Sequence, residues 1–461
     1  MSDINKDLEF LQDNLQTMEE IWDLPEPPMG GSRLKYPFWI CKKIVRKIIR
    51  WIMRPYFECQ IEFNGAVTRA IGDIYRLQSC MLTAWGEEDA IQQDILPESD
   101  RPRIIQIVSS LNFGDAVGND VIAIKNALQA NGIVTEIYTL SIHKKIPKGT
   151  AKHIRRLPVL KKNDIVIYHF ASADPLAETI KQLDCVKILR YHNITPPQFF
   201  KKYDSESEKN VSVGLKQVRE LKDYINYVMT VSDFNKRDLQ EMGYQCPMYV
   251  VPILIQFEDY AQEPTTEIVE KYSDDIKNIV FVGRIAPNKK IEDIISVFEY
   301  YHKNIDTNTR LIIVGAYNEK NKYYEFLQKL VKKLSINNII FTGHIAFRDI
   351  LAYYRTADVF LCMSEHEGFC VPLAEAMYFK VPIVAYASTA IPGTLNGCGV
   401  LVDSKEPATV AESLKEVLEN PEYKQKILEG EERRLSDFDN EVVKKQLFAV
   451  LDQIMQQSTV I

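Results

Sequence analysis

Two glutamates separated by seven residues, Glu367 and Glu375, are the side chains of this sequence best placed to do chemistry. They flank a glycine turn between an apolar run, Ala357–Cys362, which predicts a buried strand, and a helix that Pro372 opens in its first turn. The start of a helix favours an anion such as phosphate. Carboxylates accept hydrogen bonds from neighbouring hydroxyl groups. The combination indicates a site for a sugar nucleotide.

Two basic side chains follow another predicted strand in the same half of the sequence. The strand Asn278–Val282 leads into Gly283 and Arg284, and Lys289 lies on the loop before the next helix. Open α/β sheets bind ligands at the carboxyl ends of their strands. Two cations that reach one point at such an edge can neutralise a diphosphate.

The segment E-G-F-C-V-P-L-A-E-A-M resembles the Glu-x7-Glu signature of the retaining GT-B glycosyltransferases of family 4, and G-R-x-x-x-x-K resembles a second element of that family. The resemblance covers most of residues 101–435. It implies that Glu367 holds hydroxyls of the donor sugar and Glu375 the ribose of the nucleotide. Cys370 and Lys290 depart from it, because glycine is common at both places. The implied catalytic residues are Glu367, His192, Arg284 and Lys289, and the implied donor-binding residues are Glu375, Gly368, Phe369, Cys370, Val371 and Gly118.

A glycine turn in the first half of the sequence, Gly114–Gly118, follows a predicted strand and precedes a helix at Asn119–Ala130. It resembles the family's glycine loop, which passes close to the donor phosphate and the acceptor. Asp115 would repel a pyrophosphate lying directly on this turn, so we expect it to cap the helix or to bind acceptor hydroxyls, with Gly114 on the acceptor side. His192 ends a predicted strand and resembles the family's histidine that binds the donor sugar.

Alternating strands and helices predict an α/β fold with parallel sheets. The resemblance implies the GT-B arrangement of two facing Rossmann-like domains with an N-terminal helical region in addition. We expect four parts: a helical extension at 1–100, an acceptor domain at 101–258, a nucleotide-sugar donor domain at 259–435, and a helix within 436–461 that packs back on the first domain.

Composition excludes several classes of protein. The net charge of −7 argues against a nucleic-acid-binding protein, and no run of about 18 apolar residues predicts a membrane span. Eight cysteines without C-x-x-C pairs are typical of reduced cysteines in the cytosol. The N-terminus lacks the pattern of a signal peptide. We therefore expect a cytoplasmic protein.

The first 95 residues carry two further patterns. Residues 34–56 predict a basic amphipathic helix that binds either an anionic membrane surface at the inner face of the cell membrane or the rest of the protein. Residues 57–95 have apolar side chains at helical spacing. We expect this apolar face to be buried, either by self-association or by packing on the catalytic body.

The resemblance implies a retaining hexosyltransferase, with mannose as one candidate sugar. Such an enzyme would move a sugar from a UDP- or GDP-linked donor to a glycan or lipid-linked acceptor of the bacterial cell envelope. No cluster of residues has metal-ligand spacing, so we expect neither a metal nor a cofactor, and Asp437-Phe438-Asp439 is interpreted as an incidental D-x-D. Two alternatives remain: a catalytically silent GT-B scaffold subunit, and an epimerase or phosphorylase on the same fold.

Overall fold

A computed structural model of the chain describes residues 93–94, 96–97, 101–317 and 321–458. Nearly all of the expected helical extension at 1–100 lies outside the described residues, including the basic helix at 34–56 and almost the whole apolar stripe at 57–95. Among the helices that are described, none has the length and apolar character needed to cross a bilayer.

The first half of the described chain forms a seven-stranded parallel sheet in the order β3-β2-β1-β4-β5-β6-β7. Apolar side chains alternate along β1, so Ile104 and Ile105 are buried in clusters on opposite faces of the sheet. The strands are β1 (Ile104–Leu111), β2 (Thr135–Ile142), β3 (Lys152–His153), β4 (Ile165–Phe170), β5 (Val186–Tyr191), β6 (Tyr227–Thr230) and β7 (Met248–Val250). The helices are α1 (Ala116–Ala130), α2 (Ala177–Gln182), α3 (Ser205–Leu221) and α4 (Asp233–Glu241).

The second half forms a six-stranded parallel sheet in the order β10-β9-β8-β11-β12-β13. Its strands are β8 (Lys277–Val282), β9 (Thr309–Val314), β10 (Ile339–Phe341), β11 (Val359–Cys362), β12 (Ile383–Tyr386) and β13 (Val400–Val402). Its helices are α5 (Thr266–Tyr272), α6 (Ile291–Asn304), α7 (Lys322–Leu334), α8 (Phe347–Arg355), α9 (Val371–Tyr378), α10 (Ile391–Leu395), α11 (Pro407–Glu419) and α12 (Pro421–Leu435).

Both sheets reverse their strand order at one point. In the first sheet the reversal falls between β1 and β4, and in the second between β8 and β11. The connections that follow the two strands at such a reversal lie on opposite faces of the sheet. This arrangement leaves a crevice at the carboxyl ends of the strands. The predicted site residues of the second half follow β8 and β11, so the topology brings them to this crevice.

The last helix, α13 (Asn440–Ser458), returns to the first sheet. Val443, Leu447, Leu451 and Ile454 are fully buried in the cluster that also contains Ile104 of β1. Burial of each such side chain stabilises the docked helix by about 1.5–3 kcal/mol.

Two elements differ from the sequence prediction. The sequence pattern of Pro407–Arg434 predicts one long helix, but the chain forms α11 and α12. The helix is interrupted because Pro421 cannot donate an amide hydrogen bond, and Asn420 caps the second helix by accepting from the Tyr423 amide. The sequence also predicts a linker at Glu258–Asp275, but this segment contains helix α5.

A buried carboxyl group makes the stability of the second sheet depend on pH. Glu431 on α12 has no exposed surface, accepts a hydrogen bond from the Ile383 amide at 3.0 Å, and has an Oε2 atom without a partner in the described part of the chain. Burial raises its pKa to about 8, from an ordinary value of 4.5. Between these two pH values the folded chain holds the proton and the unfolded chain has lost it, so the free energy of unfolding falls as the pH rises.

We expect Glu431→Gln to remove this loss, because the amide keeps the acceptor for Ile383 and carries no charge. Near pH 8.5 the variant should be more stable than the original chain by on the order of 3 kcal/mol, and near pH 4.5 by much less. Denaturant unfolding at both pH values measures the difference. The matched control is Glu432→Gln, an exposed neighbour. An equal gain at the two pH values would contradict the assignment.

Candidate functional site

The helix of the Glu-x7-Glu segment starts at a residue in the left-handed region. Cys370 is the N-cap of α9 and has φ 69°, a conformation that glycine adopts more readily. Pro372 has no amide hydrogen, and the Leu373 amide donates to the Cys370 carbonyl at 3.0 Å. The helix start therefore offers an anion fewer amide hydrogens than a regular helix, and a bound phosphate would depend more on nearby cations than the sequence suggested.

Gly368 lies where the loop before α9 touches the first lobe. A Cβ atom at this position would come within 2.6 Å of the His192 carbonyl oxygen and 2.7 Å of the Asn193 Cβ atom. The Gly368 carbonyl accepts a hydrogen bond from the Ser232 hydroxyl at 2.6 Å. Glycine is required here because the two lobes meet through the backbone.

Lys289 and Glu367 form an ion pair in the crevice, with 2.5 Å between Lys289 Nζ and Glu367 Oε1. Their loops are also joined by two hydrogen bonds of Asn288: its carbonyl accepts from the Glu365 amide and its side chain donates to the His366 carbonyl. Burial by itself lowers the pKa of Lys289, but the attraction of Glu367 outweighs it, so the pKa is raised and the ammonium is charged at neutral pH. Sequence reasoning assigned both residues to the donor but did not predict their pairing.

Arg284 follows β8 and Gly283 and is exposed. Its guanidinium makes no ion pair within 4.0 Å among residues 101–317 and 321–458. Its positive charge lies close enough to Asp115 and Asp204 of the first lobe to favour the charged forms of both carboxyl groups. The residue therefore faces the first lobe across the crevice with its charge open to an anionic ligand.

Both carboxylate oxygens of Glu375 accept hydrogen bonds from tyrosines. The Tyr260 hydroxyl lies 2.8 Å from Oε1 and the Tyr354 hydroxyl 2.7 Å from Oε2. Burial raises the pKa of Glu375, and these two hydrogen bonds oppose that shift. Each carboxylate oxygen can accept a further hydrogen bond, so the tyrosines orient the group without blocking a diol. No motif in the sequence points to either tyrosine.

His192 follows β5, and its side chain is 3% exposed. Its Nε2 atom lies 3.1 Å from Nδ1 of His169, while its own Nδ1 atom is buried and without a partner in the described chain. The Gly368 loop packs against its carbonyl, which places the predicted histidine at the junction of the two lobes.

The turn after β1 is built by Asp115, which caps α1 by accepting from the Gly118 amide at 2.5 Å. The helix starts at Ala116, earlier than the predicted Asn119. A Cβ atom on Gly118 would lie 2.3 Å from the Asn112 carbonyl oxygen, so this glycine is needed by its own turn. Gly114 has φ 77° and open space around it.

Some of the predicted donor-binding residues turn their side chains away from the crevice. Phe369 is buried and packs against Phe438, with 5.3 Å between ring centroids. Val371 packs on the same apolar cluster. The D-x-D segment is structural: Phe438 is core, Asp437 pairs with Arg434, and Asp439 accepts from the Glu441 amide.

The fold brings together two groups of potential metal ligands that sequence spacing does not reveal, Asp120 with His169 and His192, and Cys362 with Glu367 and Cys370. In each group the ligand atoms lie within 4.8 Å of one another. Asp120 already pairs with Arg190, and Glu367 with Lys289. The two thiols are free.

The family Glycosyl transferases group 1 matches residues 264–434, which contain Arg284, Lys289, Glu367 and Glu375. This segment is a glycosyl transferases group 1 domain. The group 1 domain coincides with the lobe that carries β8–β13.

Solved structures extend the comparison to the first lobe, and a curated relative matches part of the chain. O-antigen chain mannosyltransferase B of Escherichia coli is 22% identical over 216 residues, which are 46% of this chain and 56% of that protein, so the chain spans little more than half of its length. Sucrose-phosphate synthase from Thermosynechococcus elongatus matches with a TM-score of 0.60 at 15% identity over 77% of this chain and 100% of the other. Anabaena HepE, solved with UDP and glucose, matches with a TM-score of 0.55 at 15% identity over 76% of this chain and 100% of the other. The two lobes form the GT-B fold.

Proposed function

We propose that this protein is a retaining glycosyltransferase that moves a hexose from a nucleotide-sugar donor to a glycan or lipid-linked acceptor. The observation that carries the proposal is the set of Arg284, Lys289 and Glu367 at the reversal between β8 and β11. One exposed cation and one partly buried ion pair at a strand-end crevice suit a diphosphate attached to a polar sugar.

In the proposed reaction the bond between the sugar C1 atom and the diphosphate oxygen breaks, and the acceptor oxygen forms a new bond to C1. The proton of the acceptor hydroxyl passes to a diphosphate oxygen on the same face of the sugar, which retains the anomeric configuration. Negative charge grows on the leaving diphosphate, and Arg284 and Lys289 stabilise it from fixed positions. The proposal uses no protein nucleophile, metal ion or cofactor.

Glu367 would then exchange part of its contact with Lys289 for hydroxyls of the donor sugar, and Glu375, held by its two tyrosines, would accept from the ribose. The similarity to a mannosyltransferase supports mannose as the first sugar to test. Because a similar protein was solved with UDP, UDP-sugars are tested together with GDP-sugars.

The acceptor is assigned to the first lobe, at the turn after β1. Phe113 next to Gly114 is 54% exposed and stacks near His143, with 6.1 Å between ring centroids. An exposed aromatic ring of this kind suits the apolar face of a sugar. Residues 34–56 are proposed to hold the protein near an anionic membrane surface, where a lipid-linked acceptor would be found.

The proposal is tested by thermal unfolding in the presence of GDP-mannose, UDP-glucose and other sugar nucleotides. A donor at one hundred times its Kd should stabilise the folded chain by about 2.7 kcal/mol. We expect one nucleotide class to raise the Tm and Arg284→Ala and Glu375→Ala to lose most of that rise. Arg433→Ala, which removes an exposed arginine of the same lobe, is the matched control and should keep it.

Transfer is then measured with the donor that binds, by release of nucleoside diphosphate in the presence of envelope glycans, and NMR of the product gives the anomeric configuration. Inversion would refute the retaining reaction. Binding without transfer to any acceptor would favour the scaffold subunit, and normal activity of both Arg284→Ala and Glu375→Ala would overturn the site assignment.

A further inference from the structure

We propose that Gln106 and His169 are positioning residues that hold the proton of His192 on Nε2 and leave its Nδ1 atom as a hydrogen-bond acceptor. The identity of the group that Nδ1 accepts from, a hydroxyl of the donor sugar, rests on the proposed function. The proton placement itself rests on the geometry of the chain alone.

Neighbouring strands bring the three side chains into a row. Gln106 on β1 pairs in register with Ile167 of β4, and His169 lies two residues further along β4, opposite Arg190 of β5. Gln106 Oε1 lies 2.9 Å from His169 Nε2, and His169 Nδ1 lies 3.1 Å from His192 Nε2. Gln106 is fully buried and His169 is 2% exposed, so water does not compete for these bonds.

The direction of the hydrogen bonds follows from the groups in the row. The Gln106 amide faces His169 with its oxygen, and an amide oxygen can only accept, so His169 donates from Nε2. A neutral imidazole carries one proton, so His169 Nδ1 accepts, and His192 must donate from Nε2. Both side chains are buried, and in the described chain no carboxylate oxygen lies within hydrogen-bond distance of either ring, so both rings are neutral.

The surrounding charges favour the same placement. The Asp120 carboxylate Oδ2 lies 3.9 Å from His192 Nε2, and a negative charge on that side attracts the ring N–H. Arg190 is engaged by Asp120 and by the carbonyls of Val251 and Pro252. Two buried atoms remain without partners, Gln106 Nε2 at one end of the row and His192 Nδ1 at the other. A buried acceptor without a partner is unfavourable, and a ligand hydroxyl that donates to Nδ1 would satisfy it.

Nitrogen-15 NMR of the full chain with labelled histidine tests the proton placement without any substrate. The signals of His192 and His169 are assigned by their loss in His192→Gln and His169→Phe. In the original chain we expect His192 to be protonated on Nε2. Gln106→Met and His169→Phe should each lower that preference by about fivefold, the worth of one hydrogen bond of about 1 kcal/mol. His302, which bonds Thr309 through Nδ1, serves as the internal control and should keep its signals.

Protonation of His192 on Nδ1 in the original chain would overturn the proposal, even if neither variant folds. The proposal would also be overturned if both variants fold and the preference of His192 for protonation on Nε2 is unchanged in each. If a donor is found, Gln106→Met should lower kcat of transfer while KM changes less, because the site is preserved but its acceptor is populated less often. If His192 is protonated as expected but the protein transfers no sugar, the lack of transfer refutes the proposed function. The inference about the proton of His192 still holds in that case.

Discussion

Lys289→Met should lower kcat of sugar transfer by about 10²- to 10³-fold, the range seen when one preorganised group that stabilises developing charge is removed. The effect should be large here because the start of α9 offers few amide hydrogens, as Pro372 has none and the Leu373 amide is already bonded. The loss of one ammonium group therefore removes a major part of the positive charge near the leaving diphosphate. Steady-state kinetics with the identified donor measures it.

The change also leaves Glu367 buried without its partner, which destabilises the fold. The double variant Lys289→Met/Glu367→Gln removes both charges and should regain most of the lost stability without regaining activity. Lys290→Met is the matched control: this neighbouring lysine pairs with Glu292 and Glu365, and its loss should leave kcat within about threefold. Near-normal kcat in Lys289→Met would remove Lys289 from the proposed mechanism.

The second large effect is expected from Asp120→Ala, which should lower the free energy of unfolding by about 3–5 kcal/mol. Asp120 and Arg190 are almost fully buried, and the guanidinium lies 2.9 Å from Oδ2 through Nε. Asp120 Oδ1 also accepts from the Leu254 amide at 3.0 Å. Removal of the carboxylate leaves Arg190 as a buried charge without its counter-ion. Thermal unfolding and denaturant unfolding both measure the loss.

The control is a double-mutant cycle with Arg190→Met. Arg190→Met alone should cost a similar amount, because it leaves the Asp120 carboxylate buried. The double variant should cost less than the sum of the two, since an apolar pair replaces the ion pair. If the losses in the free energy of unfolding are additive, the two side chains do not depend on one another. That result would contradict the interpretation that this ion pair joins α1, β5 and the segment after β7.

The elements of the fold were largely predictable because their signals are local. Apolar runs bounded by glycine, proline and polar residues predicted β1, β5, β8 and β11, the strands that lead to the site, and the alternation of strands with helices predicted parallel sheets. Errors fell where local signals conflict: Asn420-Pro421 interrupts a continuous helical pattern, and α5 lies in a segment that appeared to be a linker by composition.

The partners of the site residues were not predictable, because they come from distant parts of the chain. Tyr260 lies 115 residues before Glu375, and Gln106 lies 63 residues before His169. A single tyrosine or glutamine has no spacing pattern that marks it as a neighbour of a carboxylate or an imidazole. The pairing of Lys289 with Glu367, 78 residues apart, was missed for the same reason.

The sequence by itself determined which residues end the strands of the second lobe, since buried strands, glycine turns and helix starts are each encoded within a few neighbouring residues. It thereby placed Arg284, Lys289, Glu367 and Glu375 at one edge of a sheet. Only the tertiary structure decided which of these charges is free and which is paired, how Glu375 is oriented, and which groups surround His192. Those properties depend on contacts between strands and loops far apart in the chain, where packing of the whole fold sets the distances.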